Sequence, residues 1–342
     1  MNVKRISYYL GLFCLPVGFL AFINILYSSY FDYFLSINSY LITLVISFFL
    51  GTILIFFGKK ADHKINFIEQ LLLIILVYIM ISFLISLPFY LSNYQVTFLN
   101  SFFEAVSGVT GTGFSVFKNI KYLDPTLILW RSSSQWIGGL YFLFFLILIF
   151  SNKKFSYKMC ELTYFEEGNI NSPSNFKDLL LRIFIIYSLI SFLIFLALNI
   201  SEVRMFNSLN LSMSLVSSGG FLPSNSLEKI IQSNFQKIVF LFSLLLSMLN
   251  FFLILNILDR KLLIRQHKED IYLIIFSVAI IILIYLNNYT GLNVIISILS
   301  SLSNSGLSLI SSEKNLSLFF LLLTIIGGSL ISNTSGIKFT RV

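Results

Sequence analysis

Three short clusters of glycine, serine and threonine hold the residues best suited to bind an ion in this 342-residue chain. They are residues 110–114 (TGTGF), 217–221 (SSGGF) and 304–307 (NSGL), called here the first, second and third segments. The backbone carbonyls of such segments can replace the hydration shell of a cation, and small hydroxyls add further oxygens. No carboxylate occurs in the three segments. This composition favours carbonyl coordination of a monovalent ion over a ring of carboxylates.

Each segment follows a moderately apolar stretch of about 10 to 14 residues, which is too short to cross a bilayer. Such stretches predict re-entrant half-helices whose C-termini carry partial negative charge toward the membrane centre, where a cation would be favoured. The glycine that ends each segment permits backbone angles that a Cβ would disfavour. An ordinary turn is the alternative interpretation of any single copy. Its recurrence in three copies, parallel in orientation, favours the re-entrant interpretation.

The composition indicates the elements that must position these segments. Hydrophobic residues make up 57% of the chain and charged residues 11%, against about 25% charged in a soluble domain. The chain is therefore predicted to be a polytopic α-helical membrane protein. Eight spans are predicted, at residues 6–30, 39–58, 67–91, 126–150, 177–200, 236–258, 270–288 and 316–337.

The placement of the basic residues predicts the orientation. The chain has a net charge of +8. Its lysines and arginines concentrate in the loops that the predicted spans place on the same side of the membrane as the N-terminus. By the positive-inside rule, both termini are expected in the cytoplasm. The positive net charge is therefore explained by membrane topology, and a nucleic-acid partner is not predicted. With two cysteines and two histidines, neither a metal centre nor an enzyme is predicted.

Two stretches carry a resemblance to a known family. Residues 101–117 (SFFEAVSGVTGTGFSVF) and 127–140 (LILWRSSSQWIGGL) resemble the first pore repeat of the Trk/Ktr/HKT potassium-transporter superfamily. The second and third segments resemble that family's filter strands, and residues 325–342 resemble its broken third inner helix. Two further spans ahead of the repeats make the chain similar to the TrkH branch.

The resemblance implies an all-α polytopic membrane protein in which three parallel helix–pore-loop–helix repeats follow two N-terminal helices. The family's pore is pseudo-fourfold, and the chain ends at Val342 without a fourth repeat. The implied divisions are an N-terminal two-helix extension, a first repeat, a cytoplasmic linker, a second repeat and a third repeat with its broken inner helix. Their boundaries are 1–60, 61–152, 153–175, 176–260 and 261–342.

By position, the resemblance also implies the site residues. The selectivity filter would comprise Thr110, Gly111, Thr112, Gly113, Ser217, Ser218, Gly219, Gly220, Asn304, Ser305 and Gly306. A gating loop would comprise Gly327, Gly328, Ser329, Ser332, Asn333, Thr334, Ser335 and Gly336. Ile331 and Ser335 stand where the family usually has glycine, which predicts a bulkier and stiffer loop. Gly111 replaces a usual threonine.

Four other polar residues carry hypotheses of their own. Ionisable residues at membrane depth usually pair inside the protein, so Glu104 and Arg131 are predicted to form an ion pair that braces the first segment. The alternative is that each side chain reaches the outer interface separately. Lys338, together with Arg341, is interpreted as a topological anchor, with steering of potassium or contact with a regulator as the alternative.

The function implied is potassium uptake across the bacterial cytoplasmic membrane, as the ion-translocating subunit of a Trk-type system. It implies no cofactor and no metal beyond K⁺. The expected partners are a second copy in a homodimer, a cytosolic nucleotide-binding subunit similar to TrkA, and a chain supplying a fourth repeat. The first alternative is a non-conducting remnant or membrane subunit. The second is a secondary transporter with broken helices, which the parallel repeats disfavour.

Overall fold

The computed structural model describes residues 2–33, 37–60, 65–150, 173–258, 267–286, 291–309 and 317–339. In this part of the chain the regular structure is helical, and six helices are long and apolar enough to cross a membrane. These are α1 (Val3–Tyr30), α2 (Ile37–Gly58), α3 (Phe67–Tyr90), α5 (Pro125–Phe150), α6 (Pro173–Ile200) and α10 (Lys268–Leu286). The composition-based prediction of a multi-pass, all-α membrane protein is therefore confirmed. Most of the linker expected at 153–175 lies outside the described residues.

The remaining helices are shorter. They are α4 (Phe98–Val109), α7 (Met205–Val216), α8 (Asn234–Met248), α9 (Phe251–Leu258), α11 (Leu292–Leu302) and α12 (Ser317–Ile325). The chain forms two compact units, residues 1–138 and 139–342, and the division falls within α5.

In the first unit, α1 and α2 pack closely because glycines face each other between them. A Cβ on Gly11 would lie 2.6 Å from the Gly51 carbonyl oxygen, so Gly11 cannot be replaced by a larger residue without moving the backbone. The N-terminus of α1 is tied to that of α3, since the Asn2 N–H donates to Glu69 Oε1 over 2.7 Å. Glu69 also accepts from the Asn66 N–H and so caps its own helix.

The prediction of one continuous span at 236–258 is wrong. Helix α8 ends at Met248 and α9 begins at Phe251, with extended backbone between them. The groups freed by this break bond to a distant non-helical segment: Met248 O accepts from Ser329 N, and Phe251 N donates to Ile331 O, both over 3.0 Å. Backbone polar groups inside a membrane must find hydrogen-bond partners within the protein. Here the break between α8 and α9 and the distant non-helical segment provide partners for each other.

The last predicted span, 316–337, is helical over less than half its length. Helix α12 ends at Ile325, and residues 326–339, called here the glycine-serine loop, fold back without helix. The loop closes on its own ends, since Gly327 N donates to Ile337 O and Ile337 N to Ile325 O, both over 2.8 Å. Gly336 takes a left-handed φ of +79° at this return, a conformation in which glycine has no Cβ penalty.

Candidate functional site: three helix ends and the glycine-serine loop

The short helices α4, α7 and α11 end in the same backbone turn. The first residue beyond the C-cap is left-handed in each, with φ of +68° at Gly111, +54° at Ser218 and +56° at Asn304. In each, the following N–H returns to the carbonyl five positions earlier. These bonds are Thr112 N to Ser107 O at 3.0 Å, Gly219 N to Ser214 O at 2.8 Å and Ser305 N to Ser300 O at 3.1 Å. This is the Schellman arrangement of a helix C-terminus.

A second left-handed residue follows two positions later in each segment. It is the closing glycine, with φ of +81° at Gly113, +89° at Gly220 and +65° at Gly306. Because left-handed residues alternate with residues of ordinary backbone angles, each segment is irregular and differs from a regular strand. The residue types explain part of this, because glycine is the residue that takes left-handed angles without a Cβ penalty.

Sequence reasoning missed one serine in each of these helices. Ser107, Ser214 and Ser300 each lie six residues before a closing glycine and are nearly or fully buried. Their hydroxyls bond to the segment that follows. The sequence held a signal, since serine occupies the same offset in all three copies, but a buried hydroxyl on a helix has many possible partners. The fold decided which ones it meets.

A buried ion pair lies beside the first segment. Arg131 Nε is 2.8 Å from Glu104 Oε1, and both side chains are almost completely buried. Glu104 also accepts from Val116 N over 2.8 Å and from Ser115 Oγ over 3.0 Å. Arg131 donates in turn to Ser115 Oγ. The pair thus bonds the backbone and side chain that directly follow the first segment.

Gly138 on α5 allows the first segment's helix to pack closely. A Cβ at Gly138 would collide with Val109 O, Val109 C and Val109 Cα, the end of α4. These are backbone atoms of the last helical residue before the segment, so the contact cannot be relieved by a rotamer change. Glycine at this position therefore sets the distance between α5 and the end of α4.

The end of α7 is held by the glycine-serine loop. Asn333 Nδ2 donates to Val216 O over 2.8 Å, and Val216 is the last residue of α7. A Cβ at Gly139 would lie 2.9 Å from Ser217 Cβ and 3.0 Å from Asn333 Nδ2, so the α5 backbone also approaches here. Leu211 stands where the first copy has Glu104, counted from the closing glycine. The second copy therefore has no carboxylate at the position of Glu104.

The third segment also contacts this loop. Asn304 Nδ2 donates to Ser335 O over 3.2 Å. The loop therefore bonds the end of α7 and the third segment through two asparagine side chains. Both contacts lie within the second unit.

Lys338 is partly buried, and its ammonium lies among backbone carbonyls of the glycine-serine loop. Its Nζ donates to Ser332 O over 2.9 Å and to Thr334 O over 2.6 Å. It also lies 5.6 Å from the centre of the Phe142 ring. The ammonium thus satisfies carbonyls of the loop as a bound cation would. Arg341, predicted together with it, lies outside the described residues.

The loop is also fixed from the side of α10. Leu330 N donates to Glu269 Oε1 over 2.8 Å, and Ile331, one of the residues expected to stiffen the loop, is fully buried. Gly328 N bonds Thr334 Oγ1 over 2.8 Å across the return. These contacts fix the backbone of the loop at Gly328 and Leu330, and the hydroxyls of Ser332 and Thr334 bond each other over 2.8 Å.

The chemistry available here is that of neutral oxygens. Each of the three helices carries partial negative charge at its C-terminus, which favours a cation near the carbonyls there. The segments add hydroxyl oxygens. Among the described residues, no group of histidines, cysteines and carboxylates is arranged to hold a metal ion. A weakly held, partly dehydrated monovalent cation suits such oxygens better than a hard divalent ion does.

The sequence is similar to those of known cation transport proteins. The sequence model of the TrkH family, described as a cation transport protein, matches residues 36–315. An uncharacterized cation transporter of Methanocaldococcus jannaschii is 25% identical, over 99% of this chain and 71% of that protein. The Trk system potassium uptake protein TrkG of Escherichia coli K12 is also 25% identical, over 90% of this chain and 67% of that protein.

A solved structure shares the fold. The crystal structure of the potassium transporter TrkH from Vibrio parahaemolyticus matches all of this chain and 74% of its own, with a TM-score of 0.84 and 19% sequence identity. With the family match covering most of the sequence, the resemblance seen in residues 101–117 and 127–140 is confirmed, and the chain belongs to the TrkH family of cation transport proteins.

Proposed function

We propose that the chain carries potassium across the cytoplasmic membrane through a path lined by oxygens of the three segments. The filter residues would be Thr110, Gly111, Thr112 and Gly113, then Ser217, Ser218, Gly219 and Gly220, then Asn304, Ser305 and Gly306. The observation that carries the proposal is the recurrence of one turn, with two left-handed residues at matching positions, at the ends of α4, α7 and α11.

Electrostatics supports a cation as the cargo. Each of these helices ends in carbonyls that its own hydrogen bonds leave partly unsatisfied, and the summed dipole places about half a negative charge there. The segments contain no carboxylate or basic side chain. An ion bound in such surroundings is attracted yet remains free to leave, which conduction requires.

The glycine-serine loop is proposed to gate this path. The gating residues would be Gly327, Gly328, Ser329, Ser332, Asn333, Thr334, Ser335 and Gly336. Support comes from two links to the helix ends, Asn333 to Val216 O and Asn304 to Ser335 O, and from the ammonium of Lys338 inside the loop. In the arrangement described here the carbonyl oxygens of Ser332 and Thr334 accept hydrogen bonds from the ammonium of Lys338, so this is proposed to be the closed conformation.

The proposal extends to topology and partners. Both termini are placed in the cytoplasm, and the working assembly is a homodimer with a nucleotide-binding TrkA-like subunit and a chain that supplies a fourth repeat. The names of relatives such as TrkG, which describe a Trk system for potassium uptake, support a multi-component system.

Rubidium uptake tests the transport proposal. The chain is expressed in an E. coli strain that lacks its own potassium uptake systems, with and without a TrkA-like subunit and a chain carrying a fourth repeat. We expect growth at low potassium and uptake of radioactive rubidium. Gly220→Ser, which adds a side chain at a φ of +89°, should abolish both.

Gly291→Ser is the matched control. Gly291 also has a positive φ, +120°, with open space around its Cβ position, and it begins α11 rather than ending a segment. Uptake by this variant should therefore persist. Correctly inserted wild-type protein that carries no rubidium in any combination would reject the transport proposal and favour the non-conducting alternative.

A further inference from the structure

The serines six residues before the closing glycines share an unusual property. Ser107, Ser214 and Ser300 are 4%, 0% and 2% exposed, and each hydroxyl reaches forward out of its helix to the following segment. All three contacts fall within one residue of the closing glycine.

The contacts use three different atoms. Ser107 Oγ donates to Phe114 O over 2.6 Å, which fixes the carbonyl just after Gly113. Ser214 Oγ accepts from the N–H of Gly220 itself over 3.1 Å. Ser300 Oγ shares a hydrogen bond with Ser305 Oγ over 3.2 Å, just before Gly306. The shared feature is therefore the place that is held rather than the chemical group.

Other buried serines of the same helices behave differently. Ser212 Oγ donates to Leu209 O over 2.8 Å, and Ser297 Oγ donates to Asn293 O over 3.0 Å. These are the backward bonds that helical serines commonly make. A general need for small residues in closely packed helices therefore does not account for the forward bonds of Ser107, Ser214 and Ser300.

A physical need for such a bond follows from the backbone. A glycine lacks the Cβ that restricts other residues, so a segment with left-handed glycines has more accessible conformations to suppress. Where cavity size sets the selectivity between monovalent cations, the oxygens must keep their positions. A side-chain bond next to the glycine supplies the restriction that the missing Cβ cannot.

We propose that Ser107, Ser214 and Ser300 are positioning residues that hold the three segments at their closing glycines and thereby set the preference for potassium over sodium. This inference rests on the proposed transport function, since a preference between ions has meaning only if the chain binds or carries them. It assigns no contact between these serines and the ion.

The test compares Ser214→Ala with Ser212→Ala, two buried serines one helical half-turn apart on α7. Rubidium uptake is measured with increasing potassium or sodium as competitor, and the ratio of the two inhibition constants gives the preference. Loss of one hydrogen bond corresponds to about a threefold to tenfold change in an equilibrium. We expect the ratio to fall by that factor in Ser214→Ala and to stay at the wild-type value in Ser212→Ala.

A second pair keeps the test decisive if one variant folds poorly. Ser300→Ala should lower the ratio less than Ser214→Ala, because its bond joins two side chains rather than holding the backbone, and Ser297→Ala should leave it unchanged. A ratio is independent of the amount of protein, so lower expression alone does not imitate the effect.

The outcomes separate the two proposals. Wild-type protein that takes up no rubidium, and whose purified form shows no stabilisation against heat by potassium chloride over choline chloride, rejects the transport function on which the inference rests. Wild-type protein that discriminates, with the same ratio in Ser214→Ala and Ser300→Ala as in their controls, overturns the positioning role alone.

Discussion

The first and second segments share a turn, but their surroundings differ. Beside the first, a buried Glu104–Arg131 pair from the same unit holds Ser115 and Val116. At the second, the end of α7 is held by the neutral amide of Asn333, which is 117 residues from Val216 along the chain.

The two regions differ in how much free energy is needed to break their contacts. A buried ion pair with its hydrogen bonds satisfied is costly to break, so the surroundings of the first segment are suited to stay fixed. A single hydrogen bond from a neutral side-chain amide contributes about 1 kcal/mol. The contact at α7 is therefore suited to form and break in the proposed gating movement of the glycine-serine loop. Changes at each region should therefore have effects of different size and kind.

The largest effect is expected from Arg131→Met. It leaves the buried Glu104 without its ionic partner, and breaking such a pair costs about 3–5 kcal/mol of stability. Thermal denaturation of the purified protein should show a large loss. The double variant with Glu104→Gln removes both charges and should recover part of it. Equal stability of the single and double variants would contradict the bracing role.

The adjacent glycines of α5 give the next largest contrast. Gly138→Ala would drive a Cβ into the backbone of Val109, whereas Gly139→Ala would meet the side chains of Tyr187, Ser217 and Asn333. Overpacking typically costs about 1–3 kcal/mol, and backbone yields less than side chains. The melting temperature should therefore fall further in Gly138→Ala. A larger fall in Gly139→Ala would mean that the first segment is the more adaptable one.

Asn333→Leu should change rate rather than stability. Without the bond to Val216 O, the glycine-serine loop loses about 1 kcal/mol of attachment, equivalent to roughly fivefold in its equilibrium. Rubidium uptake per molecule should rise by up to that factor. Asn199→Leu, at an exposed asparagine near the end of α6, should leave uptake unchanged. A slower Asn333 variant would assign the amide to the conducting state.

Exchanging the residues at the first left-handed position should change stability in opposite directions. Gly111→Ser places a Cβ at a φ of +68°, and Ser218→Gly removes one at +54°. A left-handed non-glycine residue costs about 1–2 kcal/mol. The melting temperature should fall in the first variant and rise in the second. A shift of the same sign in both would show that side-chain contacts outweigh backbone strain there.

Sequence reasoning identified the parts that depend on local composition. The apolar content predicted the multi-pass membrane protein, and the residues of the first repeat predicted the family, whose transport role agrees with the expectation that the chain is not an enzyme. The hypothesis that pairs Glu104 with Arg131 used a simple argument, that charge at membrane depth needs a partner, and the structure places the two side chains 2.8 Å apart.

The sequence could not predict the break between α8 and α9, because residues 236–258 are predominantly apolar, contain no proline or glycine, and favour one helix when taken alone. The break is stabilised by Ser329 and Ile331, whose backbone groups replace the missing helical bonds. Likewise, the sequence predicts Lys338 to be a topological anchor. Only the folded loop places its ammonium among carbonyls.

By itself, the sequence determined which stretches are apolar, where the three helices ahead of the segments are short, and where glycines permit left-handed backbone, because these depend on residues a few positions apart. The tertiary structure decided which buried oxygen each hydroxyl, amide and ammonium meets. Hydrogen bonds reach about 3 Å, and Asn333 and Val216, which are 117 positions apart in the sequence, come within that range only in the folded protein.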